Sequence, residues 1–119
     1  MKHKVSELEG ALLDAAVAKA EGAPGEGWYE EASGCWVRRG DLFIFTPTLL
    51  WVIGGPIIQD RRITITLDNA QGTAWIAYVN AWMSHDLVTT QHYGIGPTPL
   101  VAAMRAYVVS VFGEEVELP

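Results

Sequence analysis

Residues 63–67 read Ile63-Thr64-Ile65-Thr66-Leu67, and after Asp68-Asn69-Ala70-Gln71-Gly72 the chain resumes as Thr73-Ala74-Trp75-Ile76-Ala77-Tyr78-Val79. In an extended chain Ile63, Ile65 and Leu67 fall on one side and both threonines on the other, the period of two that a half-buried strand requires. The second run is rich in aromatic and β-branched residues, which fit a pleated surface. A polar connection ending in Gly72 joins the two, so the economical reading is an antiparallel hairpin.

Helices are predicted on both sides of this hairpin. Downstream, Thr98 is placed to accept from the first free backbone N–H groups, and Pro99 occupies the first helical position, where a missing N–H costs nothing. Leu100, Ala103, Met104, Tyr107, Val108 and Val111 then recur at helical spacing, and Gly113 closes the element. Upstream, Ser6-Glu7-Leu8-Glu9 has the form of a capping box, which predicts a helix starting there. It runs through Ala11, Leu12, Ala15 and Ala16 and stops near Gly22, with Pro24 forbidding continuation. Its apolar side chains are mostly small, which favours close packing over independent stability.

Between these landmarks, residues 22–34 read as an acidic loop rich in Gly and Glu. Cys35-Trp36-Val37 and Leu42-Phe43-Ile44-Phe45 flank Arg38-Arg39-Gly40-Asp41 with hairpin spacing. A short helical turn is expected after Pro47, ending at Gly54-Gly55. Residues 80–97 look irregular, with at most one short strand at residues 87–90. The expectation is one α+β domain over residues 1–119, a small, mainly antiparallel β-sheet packed against an N-terminal and a C-terminal α-helix.

The composition agrees with that architecture and removes several function classes. The chain has 119 residues, half of them hydrophobic, and a formal net charge of −6. That is enough apolar material for one core and too much for intrinsic disorder. The acidity sits mainly in residues 1–31, where Lys2, Lys4 and Lys19 face seven carboxylates. Binding to a phosphate backbone needs several cations acting together, and only the pairs Arg38-Arg39 and Arg61-Arg62 are present. No nucleic-acid partner is expected. The uncharged run of residues 42–59 contains Pro47, Gly54, Gly55 and Pro56 and is short for a membrane span, so it reads as buried core plus a turn. Cys35 is the single cysteine, and Met1-Lys2-His3-Lys4-Val5 lacks the apolar run of a secretory signal, which together imply a reducing, cytoplasmic setting.

The inventory of reactive groups is thin. His85, Asp86 and His92 could ligate zinc only if a loop folded back, and no Cys pair or helical His pair fixes such a geometry. No metal or other cofactor is expected, and no catalytic residue is assigned. Cys35 lacks a neighbouring base and reads as a small buried hydrophobe. Gly94-Ile95-Gly96-Pro97-Thr98-Pro99 leads into a helix N-terminus, but its two prolines remove donors that an anion cradle would use, and turn geometry with capping explains it. Gly54-Gly55-Pro56 suits a sharp reversal or a close backbone approach to a ligand. Five tryptophans are many for this length. Trp36, Trp51 and Trp75 lie among apolar residues and are expected in the core. Trp28 and Trp82, the latter beside Met83, lack such neighbours and are candidate interface anchors.

Three stretches taken together resemble one family. They are Glu7-Leu8-Glu9-Gly10-Ala11-Leu12-Leu13-Asp14 with Val17-Ala18-Lys19-Ala20-Glu21-Gly22, then Gly54-Gly55-Pro56-Ile57-Ile58, and Gly96-Pro97-Thr98-Pro99-Leu100-Val101-Ala102-Ala103-Met104-Arg105-Ala106-Tyr107. The chain resembles the phage NinX-like proteins, a family of unknown function found in bacteriophages and prophages. The resemblance implies a phage-encoded accessory protein working in the host cytoplasm, with no activity to transfer. This chain departs from the family at Leu49, Leu50, Val52 and Ile53, where the family tends to be polar, and at Gln59 and Asp60, where Glu-Arg is usual.

Two functional expectations follow. The first is a non-enzymatic protein-interaction module that pairs with a second copy of itself or docks on a host or phage protein. The second is a small-ligand or enzymatic pocket between the Gly54-Gly55-Pro56 turn, adjoining Trp51, and the loop His92-Tyr93 before the last helix, with Arg62 or Arg105 supplying charge.

Overall fold

The computed structural model describes residues 1–22, 28–30, 34–39, 41–68, 72, 74–79 and 92–118; in the strands between residues 28 and 44 it describes the backbone path. The chain opens with β1 (Lys2–Lys4), a 3-10 turn (Val5–Glu7) and α1 (Gly10–Ala20). Then come β2 (Trp28–Glu30), β3 (Gly34–Arg39), β4 (Asp41–Ile44) and α2 (Trp51–Arg61). The order ends with β5 (Thr64–Asp68), β6 (Ala74–Val79), β7 (His92–Gly96), α3 (Pro99–Phe112) and β8 (Glu115–Glu117). This is the expected α+β architecture, and every strand pairing among the described residues is antiparallel. The strands divide into three sheets, β1-β8, β2-β3-β4 and β5-β6-β7.

The hairpin that decides the fold is present. Ile65 pairs with Ala77 and Leu67 with Trp75, so Ile63, Ile65, Ala77 and Val79 point to the same side as expected. Ile63, Ala77 and Val79 are buried there, and Leu67 runs out to the exposed end of the strand. The hairpin also has a third strand that the irregular reading of residues 80–97 did not contain. In β7, Gly94 pairs with Ala77 and Gly96 with Trp75. Glycine is a poor strand former, which hides this element from propensity.

Those glycines are what lets α3 settle on the sheet. A Cβ built on Gly94 would lie 2.5 Å from the Ala106 nitrogen and 2.6 Å from the Ala102 oxygen, and one on Gly96 would lie 2.8 Å from the Ala102 nitrogen. The helix backbone therefore rests on the strand backbone, with Ala102 and Ala106 as the small residues on the other side of the contact. α3 starts where expected, with the Val101 N–H donating to Thr98 Oγ1 at 3.1 Å, and ends at Gly113. Leu100, Ala103, Met104, Tyr107 and Val108 are buried as predicted, while Val111 is exposed. α1 also packs against α3, with Leu13, Ala16 and Val17 in the shared core.

The start of α1 differs from the capping-box expectation. Ser6 and Glu7 lie in the 3-10 turn, Leu8 and Glu9 are extended, and Glu9 caps the helix without a side-chain bond. The reason is tertiary. Leu8 is buried, its carbonyl accepts from Arg105 Nε at 2.9 Å, and Gly10 then turns the chain at a φ of 56°. These constraints displace the local cap. In the same way, part of the expected loop at residues 22–34 is strand β2, which pairs with β3.

Gly54-Gly55-Pro56 is not a turn, for the helical turn after Pro47 leads into the full length of α2. Pro56 sits inside that helix, where it cannot give an N–H to the Val52 carbonyl. Gly55 eases the fit, because having no Cβ it escapes most of the clash a residue before proline meets in helical conformation. Gly54 faces the body: a Cβ there would lie 2.5 Å from the Pro47 oxygen and 2.7 Å from Leu100 Cδ2.

Gly94→Ala is expected to destabilise the fold by about 2–3 kcal/mol, because both clashing partners are helix backbone that cannot step aside. Urea unfolding monitored by circular dichroism measures this, with Gly72→Ala as the comparison for a glycine whose cost comes from its φ of 77° alone, with no neighbour in the way.

Candidate functional site

The rotation of α2 determines what the molecule presents to its surroundings. With Gly54 and Ile57 turned inward, Trp51, Val52, Pro56 and Gln59 point outward. Leu49 is 72% exposed, Trp51 56% and Val52 79%, with Leu50 about half exposed between them. Trp51 is therefore not a core residue, and the uncharged run of residues 42–59 is only partly core. Sequence hydrophobicity pointed the wrong way here, because the close contact of Gly54 with Pro47 and Leu100 dictates which side of the helix is buried.

The turn that carries Leu49 is fastened from beneath by α1. Asp14 is buried, and its Oδ1 accepts from the Thr48 N–H at 3.0 Å. The Thr48 hydroxyl faces the same carboxylate outside hydrogen-bond geometry, and its Oγ1 is a buried polar atom without a partner among the described residues. Burial pushes the Asp14 carboxyl up from its ordinary value of 3.8 to about 6, opposed by the contacts to Thr48. Nothing in the sequence marked Asp14 beyond its place on the buried side of α1.

A cleft of about 400 Å³ opens at the other end of α2, lined by Asp60, Arg61, Arg62, Val79, Tyr107, Ser110 and Val111. Two of its polar side chains are held by Glu21. Glu21 Oε2 accepts from Arg61 at 2.9 Å and from the Tyr107 hydroxyl at 2.8 Å, and the Arg61 guanidinium lies 5.1 Å from the Tyr107 ring centre. Burial, reinforced by Glu21, pushes the Tyr107 phenol up to about 12, so it stays a proton donor. The bond to Glu21 raises the Arg61 guanidinium above its ordinary value. Ser110 donates back to the Tyr107 carbonyl at 2.6 Å and so is not poised as a nucleophile. This cluster ties the ends of α1 and α2 to α3. Arg62 is the αL residue closing α2, with φ 53° and ψ 52°, a conformation that favours glycine.

Of the residues expected to share a pocket, only Arg62 lines this cleft; Trp51, Gly54, Gly55, Pro56, His92, Tyr93 and Arg105 do not. His92 and Tyr93 belong to β7 rather than a loop, opposite Val79 and Tyr78. Tyr93 is exposed on the sheet side away from α3. Arg105 is a brace, donating from Nε to Leu8 and from Nη1 to the Ile95 carbonyl at 2.7 Å. Partial burial lowers its pKa, opposed by Glu9. Of the expected interface anchors, Trp28 is placed only by its backbone in β2, and Trp82 and Met83 lie outside the described residues, as do His85 and Asp86. Among the described residues no group of three His, Cys, Asp or Glu side chains could hold a metal ion, and no helix is long and apolar enough to cross a membrane.

The three stretches that carried the family resemblance meet in space. Gly54 abuts the Leu100 side chain, and the Leu8 carbonyl is bonded by Arg105, so the first two stretches both contact the third, on α3. The family model described as Bacteriophage P22, NinX matches residues 4–111. The chain belongs to this family. The NinX match spans α1 and α2, the β5-β6-β7 sheet and α3 as far as Val111, and leaves β8 outside. No curated protein matches the chain.

Two outcomes test this geometry. The native state holds the Asp14 proton more tightly than the unfolded chain, so this group's contribution to stability is full below about pH 4. It falls as pH rises through about 6, a loss of about 3 kcal/mol. Asp14→Asn keeps the acceptor for Thr48 and removes the ionisation, so urea midpoints should show the variant gaining on the wild type between pH 4 and pH 7. Arg62→Gly is expected to add about 1 kcal/mol by relieving the left-handed backbone, measured in the same unfolding experiment at pH 7.

Proposed function

We propose that this bacteriophage protein is a non-enzymatic interaction module of the host-cell cytoplasm, and that it docks through the outer face of α2. The observation that carries the reading is the run Leu49-Leu50-Trp51-Val52, four consecutive large apolar residues at least half exposed or nearly so. Scattered exposed hydrophobics are ordinary, but a contiguous cluster with Trp at its centre is the signature of an interface core. Exposing it costs solubility that a chain of net charge −6 can sustain elsewhere on its surface.

The small-ligand reading finds its support in the cleft, where a strained Arg62 and a guanidinium stacked on Tyr107 share one wall. It takes second place because Arg61, Tyr107 and Ser110, three of the polar residues there, are already bonded within the protein and brace the helices.

A photo-crosslinking amino acid placed at position 52 tests the docking face in phage-infected bacteria, with position 66 on the exposed side of β5 as the comparison. Adducts, whether with a second copy or with another protein, are expected from position 52 and not from position 66. Adducts from neither position, or equally from both, overturn the reading.

A further inference from the structure

The outer face of α2 is uneven in a regular way. Its N-terminal end carries bulk in Trp51 and Val52, flanked by Leu49 and Leu50. One turn on, Gly55 presents no side chain, with open space where a Cβ would stand, and Pro56 presents only a flat, exposed ring. Residues 51, 52, 55 and 56 form one patch on a helix, since positions three and four apart are neighbours.

We infer that the occupant of this face is a second copy of the same chain, with the two α2 helices packed antiparallel about a two-fold axis near residues 53 and 54. This rests on the docking face proposed above and commits it to one partner. An antiparallel copy centred there sets Trp51 beside the partner subunit's Gly55 on one edge of the patch, and Val52 between the partner subunit's Gly55 and the partner subunit's Pro56 on the other. Each bulky half then meets a shallow half, and the two-fold repeats the arrangement, as a self-complementary isologous interface requires. Gly55 allows the helix axes to approach closely where Val52 enters.

Area and charge agree with this choice. A large aromatic buries about 150–250 Å², so Trp51 together with Leu49, Leu50 and Val52 exposes roughly 500 Å² per copy. Complete coverage of these residues on two copies removes at most about 1,000 Å² from water, the level at which specific interfaces begin. The chain as a whole repels its copy through a net charge of −6, but residues 42–59 carry no charge, so this is a face where two copies can meet without opposing ionic groups.

Sedimentation of the full chain from 1 to 200 μM tests the inference. A concentration-dependent dimer is expected, weakened at least tenfold by V52E and likewise by P56K, which replace exposed residues and, at position 56, remove a proline from the helix. An equimolar mixture of the V52E and P56K chains sets opposite charges beside each other across the proposed axis and is expected to recover most of the lost association. Urea midpoints establish that each variant is folded. A wild type that sediments as a monomer throughout, a dimer indifferent to V52E, or a mixture that associates no better than the single variants overturns this pairing. A monomer that still gives adducts with other proteins at position 52 overturns the self-pairing and leaves the docking face standing, whereas a monomer without adducts removes both.

Discussion

The backbone of α3 lies directly on the backbone of β7, and most of the chain is arranged around that approach. Gly94 and Gly96 give up side chains on the strand, and Ala102 and Ala106 give up bulk on the helix. What is lost in side-chain burial at the contact is regained on the rest of the helix, where Leu100, Met104, Tyr107 and Val108 are buried against other elements. A helix placed this deeply can serve as a common wall. α1 packs on one side, the three-stranded sheet on another, and Leu100 reaches the inner face of α2. The polar ties follow the same plan, since Arg105 and Tyr107 each join α3 to the end of a distant segment.

The same close packing decides what stays outside. Because Gly54 fills the narrow space between Pro47 and Leu100, α2 has no freedom to roll its apolar N-terminal end inward. Its hydrophobic residues are thus exposed by a steric constraint located one turn away. Asp14, buried under the turn that carries Leu49, adds a polar anchor to an otherwise apolar support. Burying a carboxyl there disfavours its charged form, a cost that apolar packing alone would not impose.

How much of this was legible depended on whether a residue's own neighbours in sequence determined its fate. The alternation Ile63-Thr64-Ile65-Thr66-Leu67 and the Thr98-Pro99 start of α3 are local signals, and both appear in the fold as read. β7 was hidden because its glycines are chosen for a helix that lies beyond them in the sequence, and glycine in isolation reads as a turn. Gly54-Gly55-Pro56 misled for the same reason: one glycine serves Pro47 and Leu100, the other serves its proline. The capping box at Ser6 lost to Arg105, about a hundred residues away. Trp51 shows the limit for the site, since apolar neighbours predict burial only while the helix rotation is unknown. The family, by contrast, was readable from α1, the middle of α2 and α3, the stretches whose mutual contact restricts their residues most.

The pairing of β1 with β8 carries a consequence for the order of assembly. Lys2 lies opposite Glu117 and Lys4 opposite Glu115, and the Val5 N–H donates to the Glu114 carbonyl at 2.9 Å. During synthesis on the ribosome β1 therefore lacks its partner until residues 115–117 have emerged. Its flanking lysines, which discourage chance pairing with other strands, protect it through that interval.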